Sequence, residues 1–127
     1  MSSHIAEVIT LIKNSLGSSI GGISPHPVPP QAVFPYITVT EIHGSELESL
    51  TGISGQNRMI VQVDCWDKSH EVAWGIRVRV KALLLPYKGT AGTQTVAAVN
   101  HQNDAALYDG NRSLHQLVTR LFIWWTA

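Results

Sequence analysis

Residues 17–35, GSSIGGISPHPVPPQAVFP, constrain the fold more than any other part of the sequence. Proline has a fixed φ and no backbone N–H, and glycine weakens regular structure, so neither a helix nor a central strand can persist here. We therefore expect an extended loop that separates one N-terminal element from the rest of the fold.

Two helices are predicted from the spacing of apolar residues. The first covers Ser3–Leu16, where apolar side chains recur every three or four residues. The second follows Asp67 or Ser69, either of which can cap it, and runs to about Leu85. Alternation over residues 76–82 also fits a strand, but the whole segment is long for one, so we favour a helix.

Four strands are predicted where β-branched and aromatic residues are dense or alternate with polar ones. They cover residues 36–43, 58–66, 94–101 and 114–125. The first two are expected to form a hairpin, but their connection, GSELESLTGISGQN, is far longer than an ordinary hairpin turn. Long loops in compact domains are usually functional or mobile, so this loop is the first candidate for a partner contact.

The order of these elements is helix, strand, strand, helix, strand, strand. It predicts an α+β fold, with a mainly antiparallel four-stranded sheet and two helices on one face. A chain of 127 residues suits one hydrophobic core, so residues 1–127 are expected to form a single domain.

Composition favours a protein that associates with other chains. Charged residues make up 14% of the sequence, against about 25% in typical soluble domains, so much of the surface is expected to be covered by copies or partners. Nine Lys and Arg balance nine Asp and Glu, which leaves no net basic field to attract nucleic acid. Cys65 is the only cysteine, and the start MSSHIAEV lacks a signal-peptide pattern, so the cytoplasm is the expected compartment.

The reactive side chains do not predict a catalytic or metal site. The six histidines are scattered and lack the spacing of zinc ligands. Cys65 and His70 suggest a nucleophile and base, but a cysteine on the apolar face of a strand usually acts as a small buried hydrophobe. Asp64 and Asp67 are better explained by a strand position and a helix cap. We therefore predict no catalytic residue, no metal and no cofactor.

Two further clusters have competing explanations. Arg77, Arg79 and Lys81 form a basic group whose simplest role is a solvated helix face. The C-terminal LFIWWTA is apolar at consecutive positions, although a half-exposed strand should alternate. Either a helix covers the second face of this strand, or one of Trp124 and Trp125 packs on a neighbouring subunit.

Three stretches together resemble the phage tail-completion family: FPYITV after the proline-rich loop, RMIVQVDCWD before the second helix, and the long Gly/Ser loop between them. In that family, Pro-Tyr opens a strand, and a strand ending in an acidic residue, a variable position and Trp leads into the second helix. The residues at these positions are Pro35, Tyr36, Asp64, Trp66 and Asp67. The resemblance covers residues 3–85 and, more loosely, the closing strands, whereas residues 86–112 match nothing closely.

The resemblance implies a non-enzymatic virion protein that forms a homo-oligomeric ring, commonly a hexamer, at the head-proximal end of the tail. Such a ring stops tail-tube polymerisation and joins the tail to the head. The implied partners are further copies, the tail-tube protein and the head-tail connector protein. No membrane is involved, genomic DNA only passes through the lumen, and assembly occurs in the host cytoplasm. A neck or head-tail adaptor subunit is the alternative of the same class, and a small ligand-binding domain or enzyme is the alternative of another class.

Under this interpretation, Arg77, Trp124 and Trp125 are candidates for the subunit interface. The long loop is the candidate for a contact with a partner or the lumen, through Gly44, Ser45, Glu46, Leu47, Glu48, Ser49, Leu50, Thr51, Gly52, Ser54 and Gly55.

Overall fold

The computed structural model describes residues 3–42, 56–91 and 94–126. Its helices are α1 (Ser3–Leu16) and α2 (His70–Leu84), with a 3-10 turn at Gly17–Ser19. Its strands are β1 (Gly22–Pro25), β2 (Tyr36–Ile42), β3 (Gln56–Asp67), β4 (Gly89–Ala91), β5 (Gln94–Asp109) and β6 (Leu114–Thr126). Neither of these helices is long and apolar enough to cross a membrane.

The strands form one mixed sheet in the order β1-β2-β3-β6-β5-β4, and the sheet curls into a half-barrel. β1 is parallel to β2, and the other neighbouring strands are antiparallel. The prediction of a four-stranded, mainly antiparallel sheet is therefore wrong, although the fold remains α+β.

The first difference from the prediction is β1, a strand inside the proline-rich segment. It is a four-residue edge strand, paired with β2 from Gly22↔Tyr36 to Pro25↔Val39. At a sheet edge, a proline removes no hydrogen bond from a central ladder, so Pro25 is tolerated there. The prediction of an extended loop is therefore wrong at Gly22–Pro25, because the reasons that exclude a central strand in this segment do not apply at a sheet edge.

The second difference is the length of β5, which continues through the polar stretch to Asp109. Two irregularities, between Val96 and Ala98 and between His101 and Asn103, accommodate it in its pairing with β6. The carboxylate of Asp104 lies 2.8 Å from Lys81 Nζ and 2.9 Å from His101 Nε2. Partial burial would raise the pKa of Asp104, but the hydrogen bonds from Lys81 and His101 outweigh it and lower this pKa to about 2. These contacts explain why charged residues are tolerated within the strand.

The hydrophobic core lies between the two helices and one face of the sheet, called here the inner face. Alternate residues of each strand point to this face. The core includes Ile5, Val8, Ile12 and Leu16 of α1; Ile76, Val80 and Leu84 of α2; Ile37 and Val39 of β2; Val61 and Val63 of β3; and Leu121, Ile123 and Trp125 of β6. Full burial of a Val, Leu or Ile side chain contributes about 1.5–3 kcal/mol, so this layer is the main source of stability.

The α2 helix begins where the sequence predicted a cap. The Ser69 side chain accepts a hydrogen bond from the Val72 backbone N–H at 3.3 Å, and the Asp67 carboxylate accepts one from the Ser69 N–H at 2.7 Å. The helical interpretation of residues 76–82 is confirmed, because Ile76 and Val80 occupy the buried face of α2.

We expect Gly21→Ala to destabilise the fold. The Gly21 N–H donates to the Pro35 carbonyl at 2.6 Å, and a Cβ at Gly21 would overlap the Val33 carbonyl oxygen. Overpacking of this kind costs about 1–3 kcal/mol in the free energy of unfolding, which urea denaturation would measure. Gly17→Ala is the control, because its Cβ would lie 3.7 Å from the nearest atom, Lys13 Cγ. Equal stability of the two variants would contradict the close approach at Gly21.

Candidate interaction surface

The face of the sheet opposite the helices, called here the outer face, carries a different set of side chains. Its central residues are Arg58, Ile60, Gln62, Asp64 and Trp66 of β3 and Gln116, Val118, Arg120, Phe122 and Trp124 of β6. The register places Arg58 opposite Trp124, Ile60 opposite Phe122 and Gln62 opposite Arg120. The outer face therefore combines aromatic, aliphatic and cationic side chains.

One end of the outer face is covered by the chain itself. Val28, with Ala32 and Phe34, packs against Tyr36, Trp66 and Leu114 in a second, smaller hydrophobic cluster. The proline-rich segment thus folds back over the sheet, and its apolar residues bury Trp66. Two of the positions that resemble the tail-completion family, Tyr36 and Trp66, are explained by this packing.

The middle of the outer face holds a buried polar network centred on Asp64, which is 0% exposed. Its carboxylate accepts hydrogen bonds from Gln62 Nε2 at 3.0 and 3.2 Å, and Thr38 Oγ1 donates to it at 3.5 Å. Trp66 Nε1 donates to Thr38 Oγ1 at 2.9 Å, and Arg120 Nε donates to Gln62 Oε1 at 2.9 Å. Burial raises the pKa of Asp64, and this effect outweighs the opposing hydrogen bonds, the largest of which comes from Gln62.

Replacement of Asp64 by Asn is expected to change how stability depends on pH. Because its pKa is raised in the folded chain, Asp64 binds a proton more readily there than in the unfolded chain, and protonation favours folding. This contribution is fully present below pH 3.8 and is lost as pH rises through the higher folded pKa. The stability of the natural chain relative to Asp64→Asn should therefore fall across this window and then level off. Urea unfolding at a series of pH values tests this, and a relative stability that rises with pH would contradict it.

At the other end of the outer face, Arg58 lies over two aromatic rings. Its guanidinium carbon is 4.5 Å from the centre of the Phe122 ring and 5.6 Å from that of Trp124. Trp124 Nε1 donates to Asn100 Oδ1 at 3.0 Å. Neither Arg58 nor Arg120 has a carboxylate within salt-bridge distance among residues 3–42, 56–91 and 94–126. We call Arg58, Ile60, Arg120, Phe122 and Trp124 the Arg58 patch.

The two tryptophans of the C-terminal strand point to opposite faces. Trp125 is 1% exposed and lies in the core beneath the helices. Packing within the single chain therefore explains why this position is apolar. Trp124 is only partly buried and belongs to the Arg58 patch. Of these two interface candidates, Trp124 lies on the outer face and Trp125 lies in the core.

The third interface candidate, Arg77, is buried in the chain's own packing, with 6% exposure. Its Nη1 donates to the carbonyl oxygens of Ala105 at 3.2 Å and Val118 at 3.4 Å, and its guanidinium carbon lies 4.7 Å from the centre of the Trp74 ring. Arg77 therefore connects α2 to β5 and β6. Within the predicted basic cluster, Arg79 is exposed, Lys81 is half-buried and Arg77 is buried.

Arg77→Ala should destabilise the folded chain. It removes the donor for two backbone carbonyls, and a buried polar group left without its partner costs about 1–3 kcal/mol. Arg79→Ala, on the same helix, should change the free energy of unfolding by about 0.5 kcal/mol or less because Arg79 is exposed. Chemical denaturation of both variants measures the difference. Similar values for the two would show that the contacts of Arg77 contribute little.

The predicted loop contact, Gly44 to Gly55, lies outside the described residues. The thiol of Cys65 is buried, and burial, followed by the charge of Asp64, raises its pKa to about 12. Such a thiol stays protonated near neutral pH. In the part of the chain that the structure describes, no cluster of three or more His, Cys, Asp or Glu residues is placed to hold a metal ion.

Sequence reasoning missed Arg58 and the hydrogen-bond network around Asp64. Alternation alone put Arg58, Gln62 and Asp64 on one face of β3, and that was the available signal. The aromatic partners of Arg58 are on β6, as is Arg120, which binds Gln62 from more than fifty residues away. Thr38, a partner of Asp64, is on β2. The registers of β3 with β6 and with β2 were needed to bring these residues together.

Comparison with a solved structure identifies the class of fold. A chain in the virion of the native gene transfer agent (GTA) particle matches with a TM-score of 0.65 and 10% sequence identity, over 96% of this chain and 93% of that chain. This α+β architecture is therefore one that occurs in a virion particle.

The sequence also matches the model of the family described as tail completion protein gp17, over residues 8–126. The chain belongs to this family and is a structural protein of the phage tail. The predicted resemblance is confirmed, and the match includes residues 86–112, which the sequence comparison had left unassigned. No curated protein matches the sequence.

Proposed function

We propose that this protein assembles into a homo-oligomeric ring that caps the tail tube at its head-proximal end. The ring ends tail polymerisation and joins the tail to the head. The observation that carries this proposal is the match to the tail completion family over residues 8–126. The similarity in fold to a chain of the gene transfer agent virion supports a place in the particle.

Surface chemistry supports assembly from copies of the chain. Only 14% of the residues are charged, and half-buried aromatic side chains lie on the outer face beside arginines that form no salt bridge with the carboxylates of the described residues. Aromatic residues and arginine are enriched at protein interfaces. Of the three predicted interface residues, Trp124 is available for direct contact, whereas Arg77 and Trp125 would act through the fold of the subunit.

The remaining contacts in this proposal rest on the sequence. The loop from Gly44 to Gly55 contacts the tail tube or lines the lumen, where Glu46 and Glu48 repel DNA and prevent it from adhering during passage. The tail-tube protein binds one side of the ring and the head-tail connector protein binds the other. Assembly takes place in the host cytoplasm, before the tail joins the head.

The proposal is tested by light scattering and electron microscopy of the purified chain, alone and with tail tubes polymerised from the tail-tube protein of the same phage. We expect a closed ring with a central hole, bound at one end of each tube, and arrest of tube growth. A chain that stays monomeric and binds neither end of the tubes would overturn the proposal. Binding only to connector-bearing heads would instead identify a neck adaptor.

A further inference from the structure

The outward surface of α2 is unusually apolar. The line of residues opposite its buried side is Glu71, Gly75, Val78 and Ala82, all of them exposed. Beyond Glu71 this line has no polar side chain, whereas the solvent face of a helix is normally polar. Val72, beside the line, is 43% exposed, and Val78 is 50% exposed. The exposed Arg79 is on the same side of the line as Val72 and is a cation that borders this surface within α2. We call Glu71, Val72, Gly75, Val78 and Ala82 the α2 stripe.

Gly75 lies at the centre of the α2 stripe and is not explained by packing within the chain. A Cβ at this position would meet no atom within 4 Å. Glycine in a helix interior costs about 1 kcal/mol relative to alanine, so its presence here lowers stability with no compensating contact in the described structure. A missing side chain on an exposed helix does allow another molecule to approach the backbone closely.

The Arg58 patch has complementary properties. It presents aromatic and aliphatic side chains together with two guanidinium groups, and the nearby carboxylate of Asp64 is buried. The α2 stripe presents small and aliphatic side chains, with the Glu71 carboxylate at one end. Among the described residues, Glu71 forms no salt bridge. Glu71 thus carries the charge opposite to that of the Arg58 patch, and the exposed Arg79 lies about two helical turns away, at the side of the α2 stripe.

The two surfaces lie on opposite sides of the molecule, because α2 packs on the inner face of the sheet and the Arg58 patch lies on the outer face. We propose that the α2 stripe of one copy packs on the Arg58 patch of the next copy, with Glu71 facing the arginines. This inference rests on the proposed ring and specifies its subunit contact. Every copy offers one surface to each neighbour, which is the heterologous arrangement that a closed ring requires.

Contacts between identical surfaces are less favourable. Two Arg58 patches facing each other would bring four guanidinium groups together, and like charges across an interface are costly. Two α2 stripes in contact would leave both Arg58 patches uncovered and, if packed in parallel, would also oppose their Glu71 carboxylates. The pairing of unlike surfaces avoids both penalties.

Two variants, each with one blocked surface, test this contact. Gly75→Arg blocks the α2 stripe, and its Cβ enters open space, so the fold is retained. Arg58→Glu with Ile60→Glu blocks the Arg58 patch by opposing it to Glu71. Each variant alone should associate about 30-fold more weakly than the natural chain, or worse, and remain monomeric by light scattering. A 1:1 mixture should form a dimer and nothing larger, because one intact stripe meets one intact patch.

Matched controls separate blocking from damage to the fold. Gly75→Ala should still form the ring, because it adds only a methyl group, and it should raise the thermal unfolding temperature. Lys13→Glu, an exposed charge reversal on α1, should also leave the ring intact. Circular dichroism establishes that each variant is folded. If the double variant does not fold, Arg58→Glu alone replaces it.

The outcomes distinguish this inference from the proposed function. A natural chain that forms rings, with both blocked variants still forming them, overturns the contact and leaves the function standing. Folded blocked variants that stay monomeric even when mixed also overturn it, because the two surfaces would then not be partners. A natural chain that forms no ring, alone or on tail tubes, overturns the proposed function itself.

Discussion

The pairing of β3 with β6 is the interaction on which the rest of the structure depends. These strands are adjacent in the middle of the sheet, and their antiparallel register runs from Gln56↔Thr126 to Asp67↔His115. Because successive side chains of a strand point to opposite faces, this one register sets both layers of the molecule. It aligns the core residues beneath the helices, and it also places Arg58 beside Trp124 and Gln62 beside Arg120. A slip of one residue would exchange the two layers.

The two faces of the β3–β6 pair have different roles. The inner face is apolar and covered by the helices, so burial of its side chains stabilises the fold of the single chain. The outer face changes along its length, from a cluster covered by the proline-rich segment, through the Asp64 network, to the half-buried aromatic and arginine side chains. In the proposed ring, this division lets folding and assembly use separate surfaces.

The sequence predicted the parts of this structure that depend on local periodicity. The bounds of α1 follow from spacing of three to four residues, and the burial of Cys65 follows from alternation. The cap of α2 was predicted from residue type as Asp67 or Ser69, and the structure shows that it is Ser69. It did not predict β1, whose partner is β2, or the full length of β5, because pairing between distant segments decides both. Arg77 appeared to belong to a solvated face, since spacing cannot show that two backbone carbonyls of the sheet lie within its reach. For the candidate surface, the sequence identified Trp124 and missed Arg58, whose aromatic partners are on another strand.

The irregularities of β5 affect how copies of the chain could meet along the edge of the sheet. β4 pairs with β5 only at Gln94, Thr95 and Val96, so residues 98–109 form a long edge that no described strand covers. Such edges invite strand addition without limit, which leads to fibres. The irregularity before Asn103 and the contacts of Asp104 with Lys81 and His101 both oppose flat pairing along this edge. Growth by backbone addition is thereby discouraged, and in the proposed ring the copies join through their side-chain surfaces, where geometry fixes how many can join.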